Sequence, residues 1–333
     1  MLSIRAWKRS VDILVASAVM ALIAACSSAG SQQPALPLIP LSPRAQVGVQ
    51  GLHQSLTVQQ SSNRADVPQT IYIADALRNA IDLFRPSDGK FAGSISDDVS
   101  SPWGLFVDGK DSLWVVNSDY VSVYPRGQKT PNRTLQDPNE RSEDVCVAKD
   151  GTVYVSNFTD SASGPGSVSV YAPGHNWPTM ILHDPQAQYL VGVASDSSGN
   201  VFATINDSTG VGYIDEFVGG KQSGFKRLPP RFSYASDIKI DSAGNLLILD
   251  GTQLTVSEYT KSGRSTGVSV FTVYQWYAFD VSRGGTYIAG TESLPDQDRG
   301  ILEGFPSGKR LFYMNQNFGG GIAGVAIAPG RFN

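Results

Sequence analysis

Asp144 and Asp237 are the residues best placed to do chemistry in this chain. Short apolar runs recur along it with a common spelling, and most of them open on a very small residue: Gly104, Gly192, Ala278 and Gly324. Asp144 and Asp237 open the remaining two. A second set of oxygen-bearing residues, Asp75, Asn117, Asn157 and Asp250, closes the runs that follow. Oxygen ligands of this kind suit a hard cation, calcium or another divalent ion, so Asp144, Asp237, Asn117, Asn157 and Asp250 form a candidate metal set. The plainer role for Asp and Asn at a strand end is to cap the next turn through backbone amides. For Asp144 and Asp237 the balance differs, because a carboxylate in a narrow passage needs water or a cation to offset its desolvation.

Aromatic residues gather just ahead of the same runs: Trp103, Tyr189, Tyr234, Trp276 and Tyr277. Their flat apolar faces and polar tips suit a sugar, a peptide or an amphipathic small molecule. The alternative is that these rings wedge neighbouring elements apart in the core. Groups for acid–base or nucleophilic catalysis are scarce. The three histidines are His53, His175 and His183, and none falls in either set of positions. Cys146 lies inside the apolar run "DVCVA" and reads as a small core residue. No phosphate loop, zinc-ligand spacing or nucleophile elbow is present.

The elements that position these residues repeat. Each unit has a short apolar strand, a Gly-containing turn, and a second strand with a bulky centre ending in Asp or Asn. "GLFVDGKDSLWVVN" from Gly104, "DVCVAKDGTVYVSN" from Asp144 and "DIKIDSAGNLLILD" from Asp237 show it most clearly. The second-strand centres Tyr72, Trp114, Tyr154, Phe202, Leu247 and Tyr287 are spaced by 42, 40, 48, 45 and 40 residues. Third strands follow at "VSVYPRG", "VSVYAPG" and "LTVSEYTKSG", and fourth strands near Thr134, Met180, Phe225, Val268 and Leu311. A 40–50-residue period of four strands marks a β-propeller blade. "IAGVAIAPG" near the C-terminus is a first strand without a second, and "TIYIAD" from Thr70 is a second strand without a first. Pairing them closes an all-β, six-bladed ring and hides sheet edges that would otherwise be exposed. In such a ring both candidate sets share one face, beside the central channel.

The first unit, "YIADALRNAIDLF", also resembles the NHL repeat through Tyr72, Ala74, Asp75, Asn79, Ile81 and Phe84. The resemblance is good in that unit and partial in the others, and over residues 70–330 it implies an NHL-like six-bladed propeller. Such propellers serve many purposes, so it implies no single activity.

The N-terminus reads as an address. Arg5, Lys8 and Arg9 precede an apolar run from Ile13 to Ala25, too short to span a bilayer comfortably. "LIAACSS" resembles the bacterial lipobox, which implies a signal peptide over residues 1–25 and lipidation of Cys26. That lipid would anchor the chain to a membrane in the cell envelope, at the outer membrane or another extracytoplasmic surface. With Cys26 lipidated, Cys146 has no disulfide partner among the two cysteines. Residues 26–69 are rich in Ser, Gln and Pro and read as a tether with an end-to-end distance of roughly 35–40 Å.

The whole chain supports this organisation. Its 333 residues are 41% apolar, enough for a sizeable core, and 34 Gly and 19 Pro suit many turns. A net charge of −4 without a basic cluster argues against a nucleic-acid partner. The expectation is a monomeric envelope lipoprotein whose propeller (residues 70–333) binds a protein, glycan or small molecule at its channel face without catalysis. The alternative is a divalent-metal-dependent hydrolase or lyase, since the fold is similar to that of gluconolactonase-type and streptogramin-lyase propellers. Against it, no Glu opens an innermost strand, the lactonase family's N-terminal glutamate motif is missing, and the lyase family's channel histidines have no counterpart here.

Overall fold

The computed structural model describes residues 70–137, 141–158, 165–271, 275–282, 287–294, 297–304, 307, 309–314 and 321–328. The leader, Cys26, the tether and His53 lie outside the described residues, as do the side chains of Trp276 and Tyr277.

The strands follow the repeat. The first blade contains β1 (Thr70–Asp75), β2 (Ala80–Phe84) and β3 (Phe91–Ile95); the second, β4 (Leu105–Val107), β5 (Leu113–Val116), β6 (Tyr120–Tyr124) and β7 (Arg133–Gln136). The third is β8 (Ser142–Val147), β9 (Val153–Asn157), β10 (Ser167–Tyr171) and β11 (Met180–His183). The fourth is β12 (Tyr189–Ser195), β13 (Val201–Asn206), β14 (Gly212–Phe217) and β15 (Phe225–Phe232). The fifth is β16 (Ala235–Ile240), β17 (Leu246–Asp250), β18 (Thr255–Tyr259) and β19 (Ser265–Phe271). The sixth is β20 (Gln275–Val281), β21 (Tyr287–Leu294), β22 (Gln297–Gly304) and β23 (Lys309–Met314). The last strand, β24 (Ile322–Ala328), joins the first blade as its innermost strand, giving the order β24-β1-β2-β3. Ile71 pairs with Ile327 and Tyr72 with Ala326, so the ring closes through its own C-terminal strand as the sequence predicts.

The core lies between the blades. Strand residues alternate between two faces, and each face packs on the neighbouring sheet. In β1, Ile71 and Ile73 join Leu302 and Met314 of the sixth blade, whereas Ala74 joins Leu105 and Val115 of the second. The same division recurs at the other four junctions. Because both faces are covered, β9, β10, β13 and β17 are buried along their whole length. In β17 the apolar run is correspondingly unbroken, Leu246 to Leu249, where a half-exposed strand would alternate; β10 alternates serine with valine and still buries both faces. Cys146 belongs to the core between the third and fourth blades, and burial pushes its thiol up to about 12.

Three of the tight turns between first and second strands share one device. Asp108, Asp196 and Asp241 each accept two amide hydrogen bonds through Oδ1, from the residues two and four positions later, at 2.8–2.9 Å. Gly199 and Gly244 follow at φ of +80° and +85°, a backbone region that a side chain disfavours.

Candidate functional site

The two sequence-derived sets meet at one end of the ring. Register places Asn157 opposite Ser142, Asn206 opposite Tyr189 and Asp250 opposite Ala235, so second strands end where innermost strands begin. The strand-end residues are buried and committed to backbone and neighbouring side chains. Asp75 Oδ1 accepts from Arg78 N at 2.8 Å, and Asn117 Oδ1 accepts from Ser100 N at 2.8 Å. Asp250 accepts from Thr252 N, Gln253 N and Ser233 N at 2.8–3.0 Å. The Asn157 amide, oriented to satisfy its surroundings, donates to Asp137 Oδ2 at 3.0 Å and accepts from Ser169 Oγ at 2.8 Å. Burial pushes Asp137 up to about 6, against the hydrogen bonds it accepts. All four strand-end residues therefore cap turns or fix neighbouring loops. They do not join Asp144 and Asp237, and among the described residues no three His, Cys, Asp or Glu side chains converge on a metal geometry.

Asp144 and Asp237 do come together. The strands they were expected to open begin two residues earlier, at Ser142 and Ala235, because the inner strands β8, β12, β16 and β20 carry an irregularity in register against their second strands. It falls between Ser142 and Asp144, Leu190 and Val193, Ala235 and Asp237, and Trp276 and Phe279. Such a bulge leaves a backbone amide without its ladder partner and re-aims nearby side chains. Hydroxyls on the second strands take up these amides: Ser156 Oγ accepts from Asp144 N at 2.9 Å, Thr204 Oγ1 from Gly192 N at 2.8 Å, and Thr291 Oγ1 from Ala278 N at 3.0 Å.

At this level the blades touch backbone to backbone, which explains the small residues. A Cβ on Gly324 would stand 2.1 Å from Trp103 O, and one on Gly104 would stand 2.4 Å from Glu143 O. One on Gly192 would come within 2.9 Å of Ile238 N. Where Asp replaces the small residue, its carboxylate reaches the next inner strand: Asp144 Oδ2 accepts from Val193 N and Asp237 Oδ2 from Phe279 N, both at 3.2 Å.

Lys239 lies between the two carboxylates. Its Nζ is 2.8 Å from Asp237 Oδ1 and 3.1 Å from Asp144 Oδ2, tying the third blade to the fifth past Gly192. One ammonium faces two buried carboxylates, so one negative charge is left over. Burial pushes Asp144 up to about 7, with Lys239 opposing and Asp237 adding. Burial likewise raises Asp237 against the pull of Lys239. Burial alone would lower Lys239, but the two carboxylates outweigh it and hold the ammonium above its ordinary range. Below the ion cluster the channel continues as a recess lined by residues of the six inner strands, among them Phe106, Cys146, Val193, Lys239, Asp280 and Ile327.

Above the cluster, the aromatic set is organised by Arg141, a residue the sequence reading did not single out. Its guanidinium carbon lies 5.5 Å from the centre of the Trp103 ring and 4.7 Å from that of Phe158. Phe158 in turn stacks on Tyr189, with centroids 4.5 Å apart and planes 12° from parallel. Arg141 Nε is 3.2 Å from Glu143 Oε1. Burial pushes Glu143 up to about 7, with Arg141 opposing and Asp144 adding. Tyr234 belongs to the same group: burial holds its phenol above the usual range, helped by Glu143 and Tyr189 and opposed by Arg141. Three of the five expected aromatics, Trp103, Tyr189 and Tyr234, thus lie near one arginine–glutamate pair. Trp103 and Tyr189 remain partly exposed. The signal for Arg141 and Glu143 was two charges flanking the first residue of a buried strand, in "RSEDVCV"; that for Lys239 was one cation inside "DIKID".

The described histidines lie elsewhere. His183 ends β11, the outermost strand of the third blade, where the Gln222 side chain pairs with its backbone at 2.7 and 2.8 Å. His175 lies in the turn before that strand, its backbone N–H donating to Ala172 O at 3.0 Å.

No protein-family model matches the chain, and no curated protein matches it in sequence. Solved structures do share the fold. A chain in the crystal structure of a nidogen/laminin complex superposes with a TM-score of 0.61 at 14% identity, covering 78% of this chain and 98% of that one. A protein of unknown function from Bacteroides caccae gives 0.55 at 11% identity, and one from Desulfotomaculum acetoxidans 0.54 at 13%, each with the same coverage. At these identities the likeness is one of fold.

Proposed function

We propose that this chain is an envelope lipoprotein whose propeller binds a ligand or protein partner, without catalysis, at the end of the channel where the inner strands begin. The observation that carries the reading is the cluster of Trp103, Arg141, Phe158 and Tyr189: partly exposed aromatic surface held in place by a cation, on the rim of a closed ring. Aromatic and arginine side chains fixed in advance of binding are the usual anchors of a recognition surface. The ion cluster beneath supports a floor more than a reaction centre, since the Lys239 ammonium already occupies the space between the two carboxylates that would hold a metal. The lipid on Cys26, the tether and the NHL-like spelling of the first blade belong to the same reading and rest on sequence.

The test is capture from envelope extract by the full chain in detergent. A Trp103→Ala/Tyr189→Ala double variant should lose what the wild type retains while still unfolding cooperatively, at a lower melting temperature because both rings pack on their neighbours. Unchanged capture by the folded variant would remove the channel rim from the account.

A further inference from the structure

We propose that Arg141 receives the carboxylate of a ligand whose flat apolar body lies against Trp103 and Tyr189, an inference that rests on the channel-face reading above.

The geometry leaves the arginine prepared and under-used. Its guanidinium carbon lies within 5.5 Å of the Trp103 ring centre and 4.7 Å of that of Phe158, which is backed by Tyr189. A guanidinium carries five N–H donors in a fixed fork that matches a carboxylate. Among the described residues Arg141 has one ionic partner, Glu143 at 3.2 Å through Nε, and donates no hydrogen bond. Its side chain is 31% exposed. The ordering cost of a long side chain is already met by the two rings, which leaves more of the contact energy for the ligand.

The surroundings select the kind of anion. Glu143 lies beside the guanidinium, and Asp144 acts on Glu143 in turn, with Lys239 compensating only part of the acidic charge below. A singly charged carboxylate adds one negative charge to this environment; a phosphate monoester adds nearly two and meets more repulsion. The rings add a preference for a planar apolar group next to the acid. Aromatic acids combine both features.

The experiment uses the full chain in detergent and three fluorinated probes followed by fluorine NMR: 4-fluorobenzoate, 4-fluorobenzamide and 4-fluorophenyl phosphate. The acid and the amide share shape and ring, so detergent partitioning is controlled by their comparison and by variants. The expected result is at least tenfold tighter binding of the acid than of the amide, with the phosphate weaker than the acid. Arg141→Gln should bring the acid down to the level of the amide, and Arg141→Lys should keep part of the difference. Equal binding of acid and amide, tighter binding of the phosphate, an unaffected Arg141→Gln protein, or no saturable shift with any probe overturns the inference. If that happens while Trp103→Ala/Tyr189→Ala still abolishes capture, the carboxylate assignment falls and the channel-face reading stands. If capture is unchanged in the double variant, the broader reading falls whatever the probes do.

Discussion

Lys239 decides the chemistry of the channel floor, because one cation cannot neutralise two buried carboxylates. Removing it would leave Asp144 and Asp237 facing each other without compensation. Lys239→Met should therefore destabilise the propeller by about 3–5 kcal/mol in denaturant unfolding; a loss below about 1 kcal/mol would mean that the pair is solvated and the floor open. The same burial sets a pH dependence. Asp144, Glu143 and Asp215 are each pushed up to about 7 and Asp137 to about 6, burial being the main cause in every case. Acids with raised values bind protons more tightly folded than unfolded, so their contribution is fully present below about pH 4 and is lost as pH rises through 6 to 7. Asp196 and Asp207 are held below the usual range; burial opposes this shift, and hydrogen bonds, with Lys261 pairing Asp196, outweigh it. Their contribution is lost only as pH falls below about 4, outside this window. The melting temperature should fall between pH 5 and pH 8, and Asp144→Asn should flatten part of the slope. A melting temperature that rises over that range would contradict the burial of these groups. Asp144 and Asp237 were legible in the sequence, since each broke a run of small residues at matched positions. Lys239 and Arg141 were not, because composition cannot tell a cation directed at a buried partner from one directed at solvent.

The inner strands with a register break, such as β8, β12 and β16, are a compromise between a flat ladder and a crowded axis. The recurrent register break lets the backbone turn into the channel, and the hydroxyls of Ser156, Thr204 and Thr291 satisfy the amides it strands. Thr204→Val keeps the shape and removes the acceptor, which should cost about 1–3 kcal/mol for an unsatisfied buried amide; a neutral result in denaturant unfolding would show that water reaches Gly192 N. Gly104→Ala and Gly324→Ala place a methyl on backbone of the next blade, at 2.4 and 2.1 Å. Overpacking of this sort costs about 1–3 kcal/mol or more. Both variants should also shift Trp103 fluorescence, because the strained backbone carries that ring. The sequence made the strands and the 40–48-residue period readable through bulky second-strand centres and Gly turns. The bulges were hidden: one extra residue in an apolar run of six leaves no mark in alternation that is already lost through burial of both faces.

The ring as a whole depends on β24, which supplies the missing innermost strand of the first blade. Ending the chain before Ile322 would expose β1 as a sheet edge and empty the junction that holds Ile73 and Val325. The truncated protein should lose cooperative thermal unfolding or aggregate; a normal unfolding curve would mean that closure contributes little. This closure was readable because each chain end held half of one hairpin, a mismatch that only a ring resolves. The anchor proposed at Cys26 makes a separate expectation: Cys26→Ser should move the protein from the membrane fraction to the soluble fraction of cells, and retention in the membrane would refute lipidation there. What the ring is for turns on where a partner touches it. The most direct measurement is photocrosslinking in intact cells, with a benzoylphenylalanine placed either at Tyr189 on the channel rim or at Leu311, which is 44% exposed on an outer strand. A specific adduct from position 189 and none from 311 is the predicted result. Crosslinks from 311 alone would place recognition on the outer wall and contradict the account.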